Sequence, residues 1–189
     1  MTVLWGLKMK AILISIKPRF VKDILKGLKS LEIRKTFPQC ELPVDVYIYC
    51  TQNQGKKNRL SCIKTDLSNG KTVDETQLNG KVVAKFTLND VRQIYTINYN
   101  TFYEYKPVDM TPAHLEERGC VSQLEIDHYL HKKKGYAWCI ENLEIIEPMQ
   151  ISDFKVKHYP QFAGLVKNTT HYELQPLTKA PQSWCYIEV

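Results

Sequence analysis

Between Ala11 and Arg34 the hydrophobic period changes twice, and every element this permits is short. The apolar run AILISIK, Ala11 to Lys17, meets Pro18, which has no amide to donate to a sheet ladder, so a strand must stop there. The following PRFVKDILKG places Phe20 and Ile24, with Val21 and Leu28, on one side of a helix that starts on Pro18 and stops at Gly27. So short a helix is unstable alone and must lay that face on a sheet. After Gly27 the period becomes two, with Leu31 and Ile33 pointing one way and Glu32 and Arg34 the other.

The same short rhythm continues along the chain. VDVYIYC sets Val44, Val46 and Ile48 against Asp45, Tyr47 and Tyr49, and GKVVAKFTL, Gly80 to Leu88, is a strand broken by Asn89 and Asp90. Gly135 restarts strand character in YAWCIENLEII, which turns Trp138, Ile140, Leu143 and Ile145 inward. The closing PQSWCYIEV alternates Trp184, Tyr186 and Glu188 with Cys185, Ile187 and Val189; such a strand is held most simply by joining the central sheet. Thr111 with Pro112 caps a short helix ended by Gly119, and Ser122 with Glu125 makes a capping box for LEIDHYLHK. These two helices read as a lid-like excursion. Ser152 to Phe154 reads as a capped turn, whereas Tyr95 to Pro107 has no clean period.

Long crossover helices are missing, which excludes a doubly wound sheet. The expected class is α+β, mostly β: a small closed barrel with short helices packed around it. The 189 residues, 43% hydrophobic and 24% charged, suit one folded domain and exclude disorder and coiled coil. Residues 1–10 read as an N-terminal tail and 11–189 as a single domain. Residues 51–79 read as a polar surface insertion, a loop or marginal hairpin around Asn69-Gly70.

Twenty-six basic against 20 acidic residues leave a net charge of +6, which attracts a polyanion over a Debye length. No apolar stretch approaches the ~20 residues of a membrane span, and Lys8 and Lys10 interrupt the first apolar letters, so neither a span nor a secretory signal is read. A cytoplasmic location is expected. Cys40, Cys50, Cys62, Cys120, Cys139 and Cys185 include no CxxC pair and read as free thiols in a reducing compartment; the histidines fail the common metal spacings. Neither a metal nor a cofactor is expected.

The polar constellation best placed for chemistry is Gly27, Lys29, Glu32 and Arg34. Gly27 permits a tight helix-to-strand turn, Lys29 emerges where the helix ends, and Glu32 and Arg34 share the face of the strand turned from the core. Two readings fit: a helix-end lysine beside a salt-bridged strand face, or a pocket for an anion or a base. For binding, Lys29 and Arg34 extend to Lys17, Arg19 and Lys35, and then to the basic loop of Lys56, Lys57 and Arg59; Lys132, Lys133 and Lys134 could also grip phosphates. Tyr47, Tyr49, Tyr136 and Trp184 are candidate stacking surfaces, Trp184 foremost because of its polar PQSW context.

The stretch SIKPRFVKDILKGLKSLEIRK resembles the opening of the ASCH domain family, whose pattern GxKxxExR is present as Gly27, Lys29, Glu32 and Arg34. The resemblance continues through VYIYC, GKVVAKFTLNDV, GCVSQLEIDHYL, GYAWCIENLEII and APQSWCYIE, and so covers most of the chain. The ending and the insertion resemble the larger versions carried by bacterial prophages. The resemblance implies a PUA-like β-barrel that binds RNA or a modified nucleotide or base beside the signature strand. It also offers an alternative, an amidohydrolase acting on N4-acetylcytidine through a lysine, a threonine and a glutamate. Lys29 falls on that lysine, Glu32 replaces the threonine, and Glu117, with Glu116 beside it, best matches the glutamate. A carboxylate where a hydroxyl is needed changes both charge and proton donation. A third reading, a phage protein docking an acidic host protein, fits the same charge.

Overall fold

The computed structural model describes residues 10–52, 64–66, 72–74, 78–98, 103–158 and 172–189. Strand β1 (Lys10–Ile16) is apolar on both faces because both are covered. Ile12, Ile14 and Ile16 join the main core with Val21, Ile24 and Leu25 of helix α1 (Pro18–Leu25), while Ala11 and Leu13 pack on the opposite face with Tyr49, Val82, Phe154 and Ile187. β1 runs parallel to β3 (Val44–Cys50) and antiparallel to the last strand, β13 (Trp184–Glu188), so the chain's end does join the central sheet.

Beyond β3 lie β6 (Val82–Leu88) and β10 (Glu141–Met149); beyond β13 lie β11 (Lys155–His158) and β12 (Glu173–Pro176), completing a seven-stranded sheet. A second sheet of four strands has the order β2 (Leu31–Arg34), β9 (Gly135–Cys139), β7 (Val91–Asn98), β8 (Tyr103–Pro107). The stretch without a clean period is thus largely the β7–β8 hairpin, in which Ile94 pairs with Pro107. Two short strands, β4 (Lys64–Asp66) and β5 (Thr72–Asp74), pair antiparallel within the polar insertion. The expected turn at Asn69-Gly70, the basic loop of Lys56, Lys57 and Arg59, and residues 1–9 lie outside the described residues.

The expected closed barrel does not form among the described residues: β10 and β12 end the larger sheet without pairing to each other. The reason lies at two corners. The chain leaves β6 in one sheet and enters β7 in the other across Asn89 and Asp90, and it makes the return change between β9 and β10 at Ile140. Strands that switch sheets at bends make two packed layers instead of one continuous cylinder. Backbone bonds of 3.0 Å from Cys139 N to Asp90 O and from Ile140 N to Ser30 O stitch the seam.

The helices after β8 are more than a lid. Helix α2 (Pro112–Gly119) is capped by Thr111, whose Oγ1 accepts from His114 N, and helix α3 (Gln123–Leu130) begins with the expected Ser122–Glu125 box. They bury Leu115, Ile126 and Leu130 against Leu31, Ile33, Ile94, Tyr105, Ala137 and Cys139, a second core under the four-stranded sheet. Their apolar spacing alone hides this, because each helix is too short to show a full stripe. The α1 face also differs from expectation, since Leu28 lies past the helix and is 62% exposed.

Candidate functional site

Gly27 sets up the site. Its φ of +74° turns the chain sharply after α1, a conformation that side-chain-bearing residues rarely adopt, and brings Leu28 N and Lys29 N onto the Asp23 carbonyl at 2.9 and 3.1 Å. The chain then enters β2 with Ser30 N bonded to Arg118 O and Arg118 Nε donating to Ser30 Oγ, which ties the start of β2 to the end of α2.

β2 is an edge strand, yet all four of its residues are buried. Leu31 and Ile33 face the second core, and Glu32 and Arg34 take the other face, as the period-two pattern requires. Lys29, Glu32 and Arg34 are only 3%, 6% and 7% exposed. Lys29 Nζ donates to Gly119 O at 2.5 Å, the C-terminal end of α2, where a helix favours a cation. The same ammonium lies 3.4 Å from Glu32 Oε2, and Arg34 Nε lies 3.1 Å from Glu32 Oε1. Arg34 is further fixed by its Nη2, which donates to Ser15 O at 2.6 Å, and its Nη1, which donates to Ser183 Oγ at 3.3 Å. Ser15 is held in turn, its Oγ donating to Pro181 O at 2.6 Å. The result is a buried cation–carboxylate–cation triad with one net positive charge.

The triad forms the floor of a cleft of about 740 Å³. That volume lies within the ~300–1,000 Å³ range of small-molecule sites. One wall comes from α1 and its start, with Lys17, Arg19 and Phe20; the other comes from α3, with Leu124, Glu125, His128 and Tyr129. Thr51 and the Gln182–Ser183 segment complete it. Arg19 Nη2 donates to Glu125 Oε1 at 2.6 Å, and so joins the two walls. Ser122 N–H together with Arg19 holds the Glu125 carboxyl below the ordinary carboxylate range, and burial raises the Tyr129 phenol.

Among the residues the sequence pointed to, Lys29, Glu32, Arg34, Lys17 and Arg19 come together here, and Gly27 shapes the approach. Glu117 does not: it is exposed on α2 outside the lining, and Glu116 is spent on Gln123 N at 2.6 Å. Lys35 sits beside the cleft with its Nζ 5.1 Å from the ring centre of Tyr129. Lys132, Lys133 and Lys134 are exposed outside the lining. Trp184 is not part of the lining either; it packs edge-on between Trp138 and Tyr186 and donates its Nε1 to Thr36 Oγ1 at 3.1 Å. Tyr47 packs edge-on against Phe154, Tyr49 is buried, and Tyr136 packs against Phe37. The aromatic side chains that do face the cleft are Phe20 and Tyr129. Sequence reasoning overlooked Tyr129, Thr51, Glu125 and His128; the one available signal was that Glu125 and Tyr129 lie four apart, on one side of α3.

Among the described residues no group of three or more His, Cys, Asp or Glu side chains could hold a metal ion, and no helix is long and apolar enough to cross a membrane.

No protein-family model matches the chain, and no curated protein matches it. Solved structures do share its α+β, mostly β fold. A mutant form of the ASCH protein from Zymomonas mobilis superposes with a TM-score of 0.53 at 16% identity, covering 95% of this chain and 89% of that one. Another structure of ASCH from the same organism gives a TM-score of 0.52 at 17% identity, covering 93% and 86%. The chain therefore has the ASCH-domain fold, in agreement with the resemblance carried by Gly27, Lys29, Glu32 and Arg34.

Proposed function

We propose that this chain is an ASCH-domain module that binds RNA or a modified nucleotide in the cleft above Lys29, Glu32 and Arg34. The observation that carries the reading is the buried triad itself. Charges taken out of water cost several kcal/mol each before their mutual attraction repays it, and apolar residues of similar size would pack β2 at least as well. A floor that keeps two cations and a carboxylate near a cleft is suited to hydrogen-bond the polar edge of a base, with the Phe20 and Tyr129 rings in its walls and Lys17 and Arg19 placed for phosphate.

The test is a titration of single-stranded RNA and of a panel of modified nucleotides at several salt concentrations. Log affinity should fall with log salt, and Arg34→Ala should weaken binding at least about tenfold, as loss of a charge-assisted contact does. A flat salt dependence together with an Arg34→Ala protein that binds as well as wild type would remove this surface as the contact site.

The amidohydrolase alternative rests on Lys29, which lies at the cleft floor, but Glu117 does not line the cleft, and the carboxylates that do are Glu32 and Glu125. Chromatographic release of cytidine from N4-acetylcytidine by wild type, or by Glu32→Thr, which restores a hydroxyl, would turn the binding module into an enzyme.

A further inference from the structure

Glu125 divides its carboxylate between two tasks. Oε2 accepts from Ser122 N at 3.1 Å to complete the capping box, so the side chain is fixed by α3 itself. That leaves Oε1 for Arg19, across the mouth of the cleft, at 2.6 Å. Arg19 has a second contact: its guanidinium carbon lies 4.2 Å from the ring centre of Phe20. Both partners remain open to solvent, with side chains 60% and 42% exposed, and pairs so exposed are worth little, so the contact is easily exchanged. The buried triad carries one net positive charge, and Lys17 adds another at the rim. With Glu125 in place, the carboxylate occupies the position that an anionic group on a ligand would take against Arg19.

We infer that Arg19 is the phosphate-recognising arm of the cleft and that Glu125 is a built-in competitor for it, so the ligand is a phosphorylated nucleotide or an RNA strand in preference to a free nucleoside. This rests on the nucleic-acid reading above and deepens it. When the ligand enters, its phosphate takes Arg19 from Glu125, whose remaining oxygen keeps the helix capped. The latch between α1 and α3 opens as the ligand's phosphate replaces it.

The experiment is calorimetric titration, at one fixed salt concentration, of the four ribonucleosides, their 5′-monophosphates and a short single-stranded RNA. The readout is the ratio of monophosphate or RNA affinity to nucleoside affinity. Glu125→Gln keeps the capping box, because glutamine serves at that position, but removes the competing charge. The ratio should rise about two- to fivefold in Glu125→Gln, the size of an exposed ion pair. In Arg19→Met it should fall toward one, and the double variant should show no further gain from Gln. A rise seen with the monophosphates places the recognised phosphate on a single nucleotide; a rise seen with the RNA alone places it in a strand. If nucleosides and phosphorylated ligands bind alike and neither substitution moves the ratio, the inference fails while the nucleic-acid reading stands. If nothing in the panel binds, that reading fails and the inference with it.

Discussion

β1 and β2 are both buried along almost their whole length, yet they are buried for opposite reasons. In β1 the two faces carry Ile12, Ile14 and Ile16 on one side and Ala11 and Leu13 on the other, and each face meets an apolar cluster. In β2 only Leu31 and Ile33 meet such a cluster; Glu32 and Arg34 meet Lys29, Ser15 and Ser183 instead. Burial of β1 follows from the hydrophobic effect, which is indifferent to direction. Burial of β2's charged face depends on a few hydrogen bonds and ion pairs that must all be present together. A strand of the first kind stays buried whatever its exact neighbours, and a strand of the second kind stays buried only while each of its partners is in place.

The largest expected effects come from breaking either arrangement singly. Glu32→Ala leaves Lys29 and Arg34 facing each other without the carboxylate between them, and it should destabilise the chain by about 3–5 kcal/mol, as removal of one partner of a buried ion pair does. Ile14→Ala should cost a comparable amount, about 2–5 kcal/mol, through lost burial and the cavity left behind. Denaturant unfolding measures both.

A middle-sized effect separates fold from function. Replacing the whole triad by apolar residues, Lys29→Met with Glu32→Leu and Arg34→Met, removes charges and their desolvation cost together. Such replacements are often neutral or stabilising, so the melting temperature should hold or rise while RNA or nucleotide binding disappears. A triple variant that unfolds would mean that the triad is a structural tie between α2 and β2, and the contrast with β1 would lose its functional meaning.

The contrast between the strands was readable from their residues, because period-two alternation fixes which side chains share a face. Period two from Gly27 onward therefore placed Glu32 and Arg34 on the face that lines the cleft, beside Lys29. The capping residues Thr111 and Ser122 were readable for the same local reason: their hydrogen bonds reach only three residues. What could not be read was anything that depends on how distant segments meet. Glu116, Glu117 and Glu125 are equally polar in sequence, and only the packing of Leu115, Ile126 and Leu130 decides which of them faces the cleft. Closure of the barrel failed for a related reason. Asn89 and Asp90 visibly interrupt a strand, but whether the chain resumes in the same sheet or in another is decided by the layer beneath it.

The smallest expected effect concerns Trp184, where local polarity and final packing point in different directions. Its PQSW context suggests a cleft wall, and its neighbours Gln182 and Ser183 do line the cleft. The indole itself is packed between Trp138 and Tyr186, on the side of β13 that faces the main core, with its N–H on Thr36. Trp184→Phe keeps an aromatic ring for those contacts and deletes the donor, so it should cost about 1 kcal/mol, the net value of one hydrogen bond. Ligand affinity should stay within about twofold of wild type, less than the ~1.4 kcal/mol that a tenfold change requires. Unfolding curves and titrations on the same preparation give both numbers. A tenfold loss of affinity with little change in stability would make Trp184 part of the cleft after all, and would extend the binding surface from the β2 floor onto β13 in the middle of the larger sheet.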